Sequence, residues 1–94
     1  MYIVLLTYKK EMAVIDQYLA EHRAYLDEAY KKNLLIASGP QNPRIGGVLI
    51  SQLKNRVQLE DLVQHDPFYL NDLIDYKIIE FTPVKYHKDF INFV

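Results

Sequence analysis

Three side chains in this sequence are of types that move protons or meet ligands at turns: His22, Asp66 and Ser38. His22 sits within an apolar stripe, between Leu19 and Leu26. Burial disfavours an imidazolium and a neighbouring carboxylate favours it, so a histidine held between the two can act as acid or base near neutral pH. The plainer alternative is a core histidine bonded to a backbone carbonyl. Asp66 stands directly before Pro67, the position of a helix cap. One carboxylate oxygen can cap while the other orients an imidazole, so both roles stay open. Ser38 precedes Gly39-Pro40 at a strand end, where backbone can approach a ligand closely or simply turn. It lies in no nucleophile-elbow motif, which leaves little support for a serine hydrolase.

The remaining chemistry-bearing residues form no recognisable site. His65 and His87 stand in polar surroundings, and no two histidines share helical ligand spacing, so no metal is expected. Gly39, Gly46 and Gly47 are the only glycines, and no phosphate-cradling loop is present. No cofactor is therefore expected. The absence of cysteine excludes disulfides, thiolate metal sites and a cysteine nucleophile, and fits a cytoplasmic protein. The eight tyrosines fall mostly on helix and strand faces, as core residues do.

Charge and length bound the partners. Eleven basic and twelve acidic residues are mixed along the chain, for a net charge of −1. Neither nucleic acid nor an anionic membrane is an expected partner. The run Tyr2–Leu6 is too short for a signal-peptide core, and nothing approaches the ~20 apolar residues of a membrane span. The 94 residues, half of them apolar, suit one domain over residues 1–94.

The elements that must position these residues follow from the apolar pattern. Residues Tyr2–Tyr8 read as a strand. Met12, Ile15, Leu19, His22, Leu26 and Ala29 recur at steps of three and four, which predicts one long helix from Glu11 to Lys32, with Asn33 in a left-handed cap. Leu34–Ser38 is a second strand, ended by Gly39-Pro40. Gly46-Gly47 opens a third, Val48–Leu53. Asn55 caps a helix carrying Val57, Leu59, Leu62 and Val63. A short helical piece follows over Pro67–Asn71, then a fourth strand, Ile74–Phe81, and a tail, Val84–Val94.

The order is βαββαβ, an α+β ferredoxin-like sandwich. It places both helices on one side of the sheet, and so allows His22 and Asp66 to meet. The strands are apolar on both faces, and strands of that kind are covered on both faces. A second copy is the simplest cover, which predicts a homodimer in the form of a dimeric α/β barrel, with Phe90–Val94 able to reach the partner.

The residues also resemble a known family. His22-Arg23-Ala24-Tyr25-Leu26, the strand Leu34–Ser38 running into Gly39-Pro40, the turn Asp66-Pro67-Phe68 and the strand Ile78-Ile79-Glu80-Phe81 are similar, in order, to motifs of the YCII-related family. The resemblance implies a dimeric ferredoxin-like barrel. It also implies a site of one histidine and one aspartate, here His22 and Asp66, with Ser38 beside them. Dehydrochlorination of a chlorinated hydroquinone has been linked to the family, which implies acid–base chemistry on a small ring. The chain departs from the family pattern at Asn33, usually glycine, and at Asn71-Asp72-Leu73, usually Ala-Gly-Leu. The expected function is a cofactor-independent acid–base enzyme acting on an unknown small molecule. The alternatives are a non-catalytic ligand-binding or accessory dimer and a purely structural dimer.

Overall fold

A computed structural model describes all 94 residues. Four strands and four helices follow one another as β1 (Tyr2–Tyr8), α1 (Met12–Gln17), α2 (Leu19–Lys31), β2 (Leu35–Pro40), β3 (Gly46–Ser51), α3 (Arg56–Gln64), α4 (Pro67–Leu70) and β4 (Ile74–Glu80), with a 3₁₀ turn at Lys88–Phe93. The sheet order is β2-β3-β1-β4, and every neighbouring pair is antiparallel. This is the α+β ferredoxin-like fold. No helix is long and apolar enough to cross a membrane.

Strand β1 decides which face is which. Tyr2, Val4 and Leu6 are buried, while Ile3 and Leu5 between them are only half-buried. The first set packs with Ile15, Leu26, Leu59, Val63 and Phe68 into one core beneath the helices. The second set, joined by cross-strand partners Val48, Ile50 and Ile79, makes an apolar face that no element of this chain covers.

The long helix expected over Glu11–Lys32 is two helices, broken at Tyr18, whose φ of −105° and ψ of 1° leave the helical region. Steps of three and four fit two helices sharing one apolar face as well as they fit one, so the spacing did not reveal the break. Helix α2 ends as the sequence indicates. Asn33 takes φ 58°, Leu34 N–H donates to Ala29 C=O and Asn33 N–H to Tyr30 C=O, a Schellman closure.

Strand β2 runs through Pro40 rather than stopping at Ser38. It is an edge strand, where proline's missing N–H leaves few ladder bonds unmade. Its register with β3 slips between Leu35 and Ala37, so that Ser38 pairs with the buried Leu49. That bulge turns Ser38 toward the helices; plain alternation from Leu35 would have turned it away. Strand β3 likewise begins earlier than expected, at Gly46, and ends at Ser51. A Cβ on Gly46 would run into the Leu6 carbonyl oxygen, so only glycine lets β1 and β3 approach there.

Candidate functional site

His22 is carried on the core face of α2 and is 9% exposed; Asp66, between α3 and α4, is 1% exposed. The structure brings them together across 44 residues of sequence. His22 Nδ1 lies 2.8 Å from both carboxylate oxygens of Asp66. A carboxylate only accepts, so Nδ1 carries the hydrogen and Nε2 has the free lone pair. No buried side-chain nitrogen or oxygen lacks a partner, and Nε2 has none in the protein, so Nε2 is the atom that meets solvent.

Asp66 is fixed by local sequence. Its Oδ1 accepts the Phe68 N–H at 2.9 Å, and Pro67 occupies the first turn of α4. The turn closes when Leu73 N–H donates to Phe68 C=O, with Asp72 at φ 58°. Phe68, 2% exposed, then lies flat beneath the imidazole, the ring centroids 3.9 Å apart and the planes within 2°. Tyr8 meets the other edge of Phe68 at 86° and 6.2 Å. One tripeptide, Asp66-Pro67-Phe68, thus supplies the imidazole's acceptor and its stacking surface.

The imidazole opens on a cleft of about 510 Å³. Leu6, Leu19, Leu26, Leu49 and Phe68 form much of its apolar wall. Ser38, Tyr8, Arg23 and Arg44 supply polar groups. Ser38 shares the cleft but bonds elsewhere: its hydroxyl lies 2.6 Å from that of Tyr30. Arg44 reaches in from the β2–β3 loop, donates to Asp16 Oδ1 at 2.7 Å and sits 5.9 Å from the Tyr8 ring centroid. Those contacts, Asp16 first and Tyr8 next, hold its guanidinium above its ordinary range. Tyr25, one turn along α2 from His22, donates to Leu62 C=O at 2.6 Å. Burial first, then the charges of Asp66 and Asp61, push its phenol up to about 12.

The other two histidines lie outside this cleft. His65 Nδ1 donates to Asp61 C=O, and His87 Nδ1 accepts the Asp89 N–H to cap the 3₁₀ turn. No three metal-ligating side chains converge anywhere in the chain. Sequence reasoning missed Phe68 as a platform and both arginines. Arg23 directly follows His22, and that adjacency was the one available signal; nothing local marks Arg44.

No curated protein matches the chain. Among solved structures, it is similar to the 5-chloro-2-hydroxyhydroquinone dehydrochlorinase of Burkholderia phenoliruptrix AC1100, solved in complex with 2,5-dihydroxybenzoquinone. The TM-score is 0.69 and the identity 19%, over 87% of this chain and 94% of that one. At that identity the likeness is one of fold. The family model of the YCII-related domain matches residues 1–82. The chain belongs to the YCII-related family.

Proposed function

We propose that this protein is a cofactor-independent enzyme that moves a proton on a small ring compound, with His22 as acid and base and Asp66 as its orienter. The observation that carries the reading is a single arrangement: Nδ1 is tied to a buried carboxylate while Nε2 faces a cleft of small-molecule size. Nε2 takes a proton from a substrate carbon or hydroxyl. Asp66, already bonded to Nδ1–H, favours the imidazolium that forms. The proton then returns to a second atom of the substrate, which isomerises it, or passes to water as a leaving group departs. Ser38 lies at the same cleft as a hydrogen-bonding contact for substrate. The dehydrochlorinase of similar fold supports an elimination on a hydroxylated ring as the first chemistry to try.

We further propose that the working form is a homodimer, in the cytoplasm, with the second copy covering the apolar face of Ile3, Leu5, Val48 and Ile50. The apolar, only half-buried side chains of that face support the pairing. The test is turnover of chlorinated hydroxyhydroquinones and small lactones, followed as chloride release or absorbance change. His22→Ala is expected to lower turnover by roughly 10²–10⁴-fold, the usual share of general acid–base help. Turnover unchanged in His22→Ala would remove the reading.

A further inference from the structure

We infer that the cleft beside His22 selects a small ring compound bearing an anionic oxygen, carboxylate or phenolate, and that Arg23 and Arg44 receive that oxygen. The inference rests on the acid–base reading of the same cleft and names its substrate class.

The charge of the cleft wall is one-sided. Its ionisable lining side chains are His22, Arg23, Arg44 and Tyr8, with no carboxylate among them. The chain as a whole has twelve acidic residues against eleven basic, so a wall holding two guanidiniums and no acid does not follow from composition. Asp66 stands behind the imidazole and is spent on Nδ1 and the Phe68 N–H.

The two arginines differ in a useful way. Arg44 is pre-set: Asp16 holds one nitrogen of its guanidinium, and the group lies near the Tyr8 ring. A guanidinium has five N–H donors, so donors remain for a ligand. Arg23 is exposed and takes part in none of the chain's ion pairs, so all its donors are free for a ligand. A planar guanidinium matches the two oxygens of a carboxylate or the oxygen of a phenolate through charge-assisted bonds. A cationic compound would find no carboxylate on the cleft wall to pair with and would meet the unpaired Arg23.

The same wall suits the chemistry. Removal of a substrate proton by neutral Nε2 leaves negative charge on the substrate. Arg44, already held by Asp16, stabilises that charge as it develops, and Arg23 has its donors free to join it. The cleft of about 510 Å³ takes a single substituted ring within its apolar floor.

The test is a binding titration of the full chain, followed by nitrogen-15 NMR, with benzoate, 4-nitrophenolate at pH 8, benzamide and benzylamine. Benzoate or 4-nitrophenolate is expected to bind at least about tenfold more tightly than benzamide, and benzylamine not to bind. Arg23→Gln and Arg44→Gln are each expected to weaken the anion about tenfold, the scale of one charge-assisted contact, and to leave benzamide unchanged. His22→Gln keeps the anion site, so a failure of the proton-transfer reading leaves this titration intact. Benzamide binding as well as both anions, no saturable binding of either anion, or full anion affinity in both arginine variants would overturn the inference.

Discussion

His22 and Phe68 are stacked ring on ring, parallel to within 2° at 3.9 Å, while Asp66, two residues before Phe68, grips the same imidazole through Nδ1. The ring is held in plane by the carboxylate and against its face by the phenyl. Phe68→Ala should cost about 3–5 kcal/mol, as expected for a buried aromatic. Phe68→Leu should recover most of that in urea denaturation. Neither variant restores the ring-current shift of the His22 ring protons, which NMR reads directly. Ring protons unshifted between wild type and Phe68→Leu would contradict the stack.

Asp66→Asn separates the cap from the orienter. The asparagine oxygen still accepts the Phe68 N–H, so the turn persists with a stability change of about 1 kcal/mol or less. Its amide nitrogen now points a donor at Nδ1. Where that donor takes over the contact, the imidazole answers with the other tautomer, placing the hydrogen on Nε2 and leaving no base toward the cleft; where Oδ1 keeps Nδ1–H, the charge that favours the imidazolium is still gone. Nitrogen-15 signals of the ring are expected to exchange roles, and turnover to fall by roughly 10²–10⁴-fold. A variant that keeps wild-type turnover would show that Asp66 is only a cap.

Two glycines make a matched pair. Gly46→Ala drives a methyl into the Leu6 carbonyl and should disrupt β1–β3 pairing, visible as a large loss of melting temperature or as insoluble protein. Gly39→Ala meets nothing within 4 Å and should melt close to wild type. Equal melting of the two would refute the close approach.

Tyr25 sets a limit on alkaline stability. Its folded value, about 12, lies above the ordinary 10.0. Its contribution is therefore complete below pH 10 and declines between about 10 and 12, where the unfolded chain ionises and the folded one resists. Tyr25→Phe should flatten the fall of stability across that window, measured by urea midpoints at stepped pH. An unchanged slope would mean that the phenol is not held back in the fold.

Leu5→Lys places a charge in the middle of the uncovered sheet face, flanked by Val48 and Lys77. The side chain is not in the core, so the monomer should stay folded. Light scattering is expected to give a dimer for the wild type and a monomer for the variant at micromolar concentration. A wild-type monomer at that concentration would end the barrel proposal.

Much of the architecture was readable because it depends on local pattern. The apolar strand runs, the Asn33 cap and the Asp66-Pro67 start are decided within a few residues. What escaped depends on contacts made at a distance. Tyr18 breaks the first helix without breaking its apolar stripe. Pro40 stays in a strand because that strand is at the edge, which no local pattern declares. Ser38 faces the cleft through a bulge that shifts its parity. His22 and Asp66 were legible as a pair through family resemblance and shared topology. Arg44 was not, because its partner Asp16 lies 28 residues earlier and no periodicity links them.

Helix α4 has four residues, too few to persist alone. Yet its first turn contains the acceptor for Nδ1 at one end and the stacking ring at the next position but one. Fraying of this single turn would release the imidazole from both at once, and its closure restores both together. Nδ1 thus keeps its acceptor and its stacking ring together only while this turn is closed. Loss of a contact as remote as Asp72–Lys9, at the turn's far end, would then reach the imidazole through the closure of this turn and not through any contact with the ring.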